Sequence, residues 1–288
     1  MLSNSEKSIF KKRFKTIVGI DEVGRGCLAG PVAAAAVVIK KPIKDLKNVR
    51  DSKALTEKQR EEIFEKAKNH PDIEWAVSYV QPKIIDKINI NKATMLAWKK
   101  CFKKLKQKPD FLFLDGNQEI SNLKIQQKAV VKGDQKIFVL SLASIMAKVS
   151  RDRLMKKMDK KYPAYNLAIH KGYGTKLHFE KIKKHKPANI HRCSFSPVFD
   201  NLPFKKKVYY CVSQIPRGQT MSYKQVAEAI GRPRSFRAVG IALNKNSDSK
   251  IPCHRVIRSA GLSSKRIGGY NRGTKLKRKL LASEGVKF

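Results

Sequence analysis

"KTIVGIDEVGRGCLAGPVAAAAVVI", residues 15–39, holds two apolar runs separated by a glycine-rich turn, with two adjacent acids closing the first run. The second run, "PVAAAAVVI", is nine residues long, well short of the roughly 20 needed to span a bilayer. It therefore reads as a buried strand, and "KTIVGID" as its neighbour. Asp21 ends that neighbour and Glu22 follows at once. Adjacent residues on a regular strand face opposite ways, so both acids can serve one site only if the chain bends there. Gly24 and Gly26 are the residues that permit such a bend.

Working outward, "IEWAVSYV" and "FLFLD" (111–115) read as further strands. "NKATMLAWKKCFKKL" (91–105) has helical spacing, with Ala93, Leu96, Ala97 and Phe102 near one face. A long helix is expected over 137–159, and another after "GYGT" through about 185. Strands early with helices interleaved later predict an α/β domain with a mixed central sheet. Two more acids stand at strand ends: Asp115 in "FLFLDG" and Asp134 in "VVKGDQ". Four carboxylates converging at one sheet edge repel unless cations join them, and hard divalent ions, magnesium or manganese, are the natural occupants. Two such ions can activate a water and stabilise the leaving oxygen of a phosphodiester.

The composition points the same way. Sixty-three Lys and Arg against 23 Asp and Glu give a net charge of +40 over 288 residues. Such an excess fits a polyanionic partner, and nucleic acid leads because basic side chains displace its condensed counterions. The first 20 residues lack the apolar core of a signal peptide, and no run is long enough for a membrane span, so a membrane partner is not expected. Five scattered cysteines without a CxxC pair support neither a disulfide framework nor a cysteine-rich zinc site. The expectation is a cytoplasmic, monomeric chain with reduced thiols.

Around "FDNLPFK" (199–205) the pattern changes, and a boundary near residue 203 divides the chain into 1–203 and 204–288. Beyond it come a helix over about 204–214, then "MSYKQVAEAIG" and "RPRSFRAVGIALNK". Ser222 and Gln225 have capping-box spacing, Gly231 is a natural stop, and Pro233 suits the start of a second helix. Two short helices joined by a glycine-containing turn spell a helix-turn-helix. Gly240 sits inside helical sequence one turn after Arg237. Such a helix either enters a narrow groove or packs tightly through Ala238 and Gly240. Near the end stands "IPCHRV" (251–256), whose Cys253 is either a small buried hydrophobe or a nucleophile served by a nearby base.

The blocks "IVGIDEVGRGCLAGPVAAAAVVI", "DSKALTEKQRE", "FLFLDGN", "VVKGDQKIFVLSLASIMAKVSRDRLM" and "HKGYGTKLHFEKIKKHKPANIHRCSFSPV" resemble ribonuclease HII, in that order, across residues 16–197. The resemblance implies a ribonuclease H-like fold. It implies that Asp21, Glu22, Asp115 and Asp134 bind two Mg2+ or Mn2+ ions and act in catalysis. Gly24, Arg25 and Gly26 match a loop that approaches the ribonucleotide and senses its 2′-hydroxyl. Tyr173 matches a tyrosine packing on the sugar at the RNA-to-DNA junction. Lys53, Ser144 and Lys148 are candidate phosphate contacts. The implied substrates are RNA–DNA hybrids and duplexes carrying ribonucleotides, cut to 5′-phosphate and 3′-hydroxyl ends.

Residues 204–285 resemble the carboxy-terminal domain of O6-alkylguanine-DNA alkyltransferases, through "IPRGQTMSYKQVAEAIGRP", "RAVGIALNKN", "IPCHRVI", "GGYNRG" and "KLLASEG". The implied fold is a small, mainly helical winged helix-turn-helix. By this resemblance Cys253 accepts the alkyl group without a cofactor, His254 is a water-mediated base, Glu284 orients it, and Asn246 belongs to the same network. Tyr223 and Arg237 match residues that rotate the phosphate and fill the space of the flipped guanine, and Tyr270 lines the base pocket. The loop "RSAGLSSKRIGGY" (258–270) is longer than usual for the family, and "NSDSK" (246–250) replaces a more apolar approach. Two functions stay open for this domain: alkyl transfer from O6-alkylguanine in DNA, or DNA binding alone in support of the nuclease. A DNA-coating protein without enzymatic activity is disfavoured, because it has no use for four strand-end acids in this order.

Overall fold

In the computed structural model of the chain, residues 16–41, 43, 46, 49, 52–107, 109–258 and 267–287 are described. The middle of the 258–270 loop lies outside these residues. The chain divides into two compact units, residues 1–198 and 199–288.

The first unit is built on a five-stranded sheet in the order β3-β2-β1-β4-β5. Its elements begin with β1 (Ile17–Val23), β2 (Val32–Ile39), α1 (Glu57–Lys68), β3 (Ile73–Val80), α2 (Pro82–Ile88) and α3 (Ile90–Lys103). They continue with β4 (Phe111–Asp115), β5 (Gln126–Val130), α4 (Phe138–Lys161) and α5 (Lys176–His185). The first three strands are antiparallel neighbours, whereas β4 runs parallel to β1, and β5 parallel to β4. The sheet is therefore mixed, as the sequence predicts.

Every residue of β2 is buried, because helices cover both faces of the sheet. Ile17, Ala35, Val37, Phe111 and Phe113 pack with α4, while Val18, Ile20, Ala34, Leu112 and Leu114 pack with α3. On α3 the buried stripe is Ala93, Thr94, Ala97, Trp98 and Cys101. Leu96 and Phe102, expected near the same face, are only partly buried against it. Gly19 explains how closely α4 approaches: a Cβ there would lie 2.7 Å from the Val139 carbonyl oxygen.

Two fully buried arginines pin the turn after β1. Arg192 donates to the carbonyls of Gly24, Arg25 and Gly30, at 2.6, 2.7 and 3.0 Å. Arg151 donates to those of Ala29, Pro31 and Lys171, at 3.1, 2.9 and 2.8 Å. Each guanidinium spends its fixed fork of donors on backbone oxygens that the turn would otherwise bury unpaired.

The second unit contains α6 (Phe204–Ser213), β6 (Met221–Ser222), α7 (Tyr223–Ala229), α8 (Phe236–Asn244), β7 (Val256–Ile257) and α9 (Thr274–Ser283). The Ser222–Gln225 capping box forms, and Gly231 adopts φ 71° just past α7. Pro233 opens a short 3-10 turn, and the α-helix starts only at Phe236. Val208, Val212, Val226, Val239 and Leu243 form the core beneath this helix pair. The β6–β7 pair is parallel and two residues long.

Replacing Arg192 with Met keeps the bulk but leaves three carbonyls without donors. We expect a loss of roughly 3 kcal/mol in unfolding free energy for this variant. Chemical denaturation of the variant beside the parent measures it, and unchanged stability would refute the clamp.

Candidate functional site

Strand alternation sorts the acids of the first unit. Asp21 shares the parity of Ile17 and Gly19, and Asp115 that of Phe111 and Phe113, so both emerge on the α4 side of two adjacent parallel strands. Asp134 arrives from a 3-10 turn, residues 133–135, that leads into α4. Asp115 Oδ1 accepts the Gly133 amide at 2.7 Å, and Ser141 Oγ donates to the Asp134 carbonyl at 2.6 Å. Carboxylate oxygens of Asp21, Asp115 and Asp134 consequently lie within 4.8 Å of one another.

Glu22 behaves differently from expectation. The strand continues through it to Val23 in register with β2, so no bend separates it from Asp21. It emerges on the α3 side, where Trp98 Nε1 donates to its Oε2 at 3.0 Å and Arg25 Nη1 to its Oε1 at 3.3 Å. The turn comes later, at Gly24, with φ 89°.

Burial first, then the charges of Glu22 and Asp115, raise the Asp21 carboxyl well above its usual range. Burial also raises Glu22, against the pull of Arg25. Oxygens gathered this closely in a low-dielectric setting suit a hard divalent cation, which relieves their repulsion. The three aspartates are the residues placed to hold it.

The other predicted residues surround this cluster. Lys53 Nζ is 3.6 Å from Asp134 Oδ2 with most of its side chain exposed. Ser144 Oγ is 2.9 Å from Ser52 Oγ and also hydrogen-bonds Asp21. Arg25 donates to Asn91 Oδ1 as well as to Glu22. At Gly26 a Cβ would meet nothing within 4 Å, so this side of the turn is open to an incoming backbone. Lys148 is paired with Asp152 at 2.9 Å, and its ammonium stands 5.3 Å from the Tyr173 ring centroid. Tyr173 hydrogen-bonds Cys27, and burial lifts its phenol to about 12.

In the second unit, Cys253 lies on a 3-10 turn, 253–255, and Asn246 Nδ2 donates to its Sγ at 3.2 Å. Burial raises the thiol above its usual range. His254 Nε2 is 3.0 Å from Glu284 Oε1. Arg255 forks onto Glu284 at 2.9 and 2.8 Å, which with His254 and the Gly218 amide holds that carboxyl at about 2. A cavity of about 130 Å³ opens onto Cys253, lined by Tyr223, Gly240, Leu243, Asn244, Tyr270 and Asn271 among others. Arg237 and Ala238 are exposed on α8, and the nearest atom to a Cβ at Gly240 would be 3.7 Å away. Among the described residues, Gly240 is thus approached by the Tyr223 ring at ordinary contact distance, and Arg237 and Ala238 stand exposed beside it.

Several residues escape sequence reasoning. Trp98, which helical spacing does not single out, lies in the buried stripe of α3 and holds Glu22. Lys277 sits in "KLKRKLL" among basic neighbours but is fully buried. Its Nζ donates to the carbonyls of Val256 and Gly269, and burial pulls it down to about 8.

The comparisons with known proteins agree with this division. The family model described as Ribonuclease HII matches residues 18–198, and that described as 6-O-methylguanine DNA methyltransferase, DNA binding domain, matches residues 203–286. The ribonuclease HII of Caldicellulosiruptor bescii is 47% identical over 190 residues, covering 66% of this chain and 91% of the relative. That of Endomicrobium trichonymphae is 46% identical over 195 residues, covering 68% and 92%. The crystal structure of ribonuclease H2 from Pyrococcus horikoshii superposes with a TM-score of 0.56 at 29% identity, covering 64% of this chain and 95% of that one. The chain therefore belongs to the ribonuclease HII family, with a second domain of the 6-O-methylguanine DNA methyltransferase DNA-binding type joined behind it.

Proposed function

We propose that the first unit cleaves RNA in RNA–DNA hybrids, or at ribonucleotides in duplex DNA, and that the second transfers an alkyl group from O6-alkylguanine in DNA to Cys253. The observation that carries the nuclease reading is the convergence of Asp21, Asp115 and Asp134 beside the open Gly24–Gly26 turn. These aspartates hold Mg2+ or Mn2+, with Glu22 as fourth carboxylate. Divalent metal bound there supplies the charge that activates a water and stabilises the leaving oxygen. The chain itself positions the substrate. Gly24, Arg25 and Gly26 read the 2′-hydroxyl, the group that distinguishes RNA from DNA. Tyr173 packs on the sugar at the junction, and Lys53, Ser144 and Lys148 meet phosphates.

In the second unit Arg237 and Tyr223 extrude the base, and Tyr270 lines its pocket. His254, oriented by Glu284, takes the Cys253 proton through a water. The sulfur bonds to the alkyl carbon as the carbon–O6 bond breaks, and guanine regains a proton as it leaves. Asn246, already donating to Sγ, steadies the developing thiolate. Transfer is a single event, since the thioether persists. A second reading is DNA binding without transfer, and the observation that bears on it is the burial that raises the Cys253 thiol above its usual range. A mass gain at Cys253 after incubation with an O6-methylguanine duplex separates the two.

Asp21→Asn and Asp134→Asn should each slow cleavage of a duplex carrying one ribonucleotide at least 100-fold while preserving binding, because charge positioned at the reacting phosphate is lost. Gel analysis of cleavage products beside a binding titration checks this, and near-parental cleavage by either variant sinks the assignment. The products of the parent should carry 5′-phosphate and 3′-hydroxyl ends.

The two chemistries should separate cleanly. A chelator is expected to stop ribonucleotide cleavage and spare alkylation of Cys253, whereas Cys253→Ser should do the reverse. Alkylation that stops on chelation, or cleavage crippled by Cys253→Ser in a folded chain, would show that the sites are not autonomous.

A further inference from the structure

Beneath Tyr173 lie three buried histidines, His170, His178 and His191. His178 Nδ1 is 2.8 Å from the Tyr173 carbonyl oxygen, so it must carry the proton and donate. The Nε2 of a neutral His178 is then an acceptor. It stands 3.2 Å from His191 Nε2, which must therefore donate. His191 Nδ1, left as an acceptor, receives the Ala188 amide at 3.1 Å. The reverse arrangement, His191 Nδ1 donating to the Ala188 carbonyl at 3.3 Å, would require a doubly protonated His178 or His191. Burial pulls both rings down to about 4, which excludes that form near neutrality.

His170 repeats the pattern with the opposite tautomer. It donates from Nε2 to the Tyr165 carbonyl and accepts the Gly172 amide at Nδ1. Its ring stacks on His178 at 4.1 Å, Asp159 and Lys171 act on it with opposite signs, and the Tyr165 ring meets His191 edge-on at 4.6 Å. Backbone bonds join the chain around these rings to the turn that follows β1. The Gly172 carbonyl accepts the amides of Leu28 and Ala29, and Ala29 forms a β-bridge with His191.

We propose that His178 and His191 are positioning residues for Tyr173, joined in a relay of fixed proton direction from the Ala188 amide to the Tyr173 carbonyl. The inference rests on the reading of Tyr173 as the residue that meets the sugar at the junction. A relay of neutral rings can fix a backbone only while each proton stays on one nitrogen, since a second proton on either His178 or His191 sets two N–H groups against each other.

Nitrogen-15 NMR of the imidazole rings in the full chain at pH 7 tests it directly. His178 should appear as the Nδ1–H tautomer, and His170 and His191 as Nε2–H tautomers. A His178 that is Nε2–H or doubly protonated overturns the relay, whatever the variants do. In kinetics, His178→Ala should raise KM for a single-ribonucleotide duplex roughly tenfold, because a small misplacement of a contact group is costly. Calorimetric Mn2+ affinity should stay at the parental value. His178→Asn, which keeps a donor near the Nδ1 position, should recover most of the loss. A parental KM in folded His178→Ala, with Tyr173→Ala impaired, refutes positioning. A parental KM in Tyr173→Ala instead refutes the role of Tyr173, and the tautomer result still decides the relay.

Discussion

The nuclease unit depends on two cations taken out of water whose donors are met by backbone carbonyls. Arg151 and Arg192 are both fully buried, and together they donate to six backbone carbonyls. Desolvating a guanidinium is expensive, so the arrangement is stable only when nearly every donor finds an oxygen. Five of those oxygens belong to residues 24–31, the connection between β1 and β2. A glycine-rich turn that would otherwise sample many conformations thereby has one. Gly24 is needed for the same reason, since a Cβ there would fall on the Arg151 side chain.

With the turn held, strand parity distributes the chemistry. Asp21 and Glu22 occupy opposite faces of one strand, so the cluster on the α4 side contains three aspartates, and the glutamate emerges on the α3 side against Trp98 and Arg25. The cost of burying Asp21 is visible in its raised proton affinity, and the same burial strengthens any cation the site takes. The second unit uses a different economy of charge. Its acid, Glu284, is held low by a fork from Arg255 and a bond from His254, while burial raises the Cys253 thiol beside Asn246.

Much of this was legible from the residues. Alternating or continuous apolar runs bounded by glycine marked β1, β2 and β4, and the acids at their ends marked the site. The S-x-x-Q spacing placed the start of α7, and Gly231 its end. Burial of basic residues was not legible, because Lys and Arg read as solvated in a chain with 63 of them. Arg151, Arg192 and Lys277 gain their roles from carbonyls distant in sequence. The bend was misplaced because glycine shows where a chain can turn, whereas β2 pairing through Glu22 and Val23 decides where it does. The histidine relay was invisible for a similar reason: its partners are backbone groups, which leave no mark on composition.

The bond between Trp98 and Glu22 has an optical consequence. The chain holds two tryptophans, Trp75 and Trp98, and both belong to the nuclease unit. Trp75 stands edge-on to Phe64 at 5.5 Å, whereas the Trp98 indole donates to Glu22. Indole emission is sensitive to a charged acceptor on its nitrogen. The unlabelled protein thus carries a fluorophore wired to the acid next to Asp21, and its second domain contributes no tryptophan background to the signal.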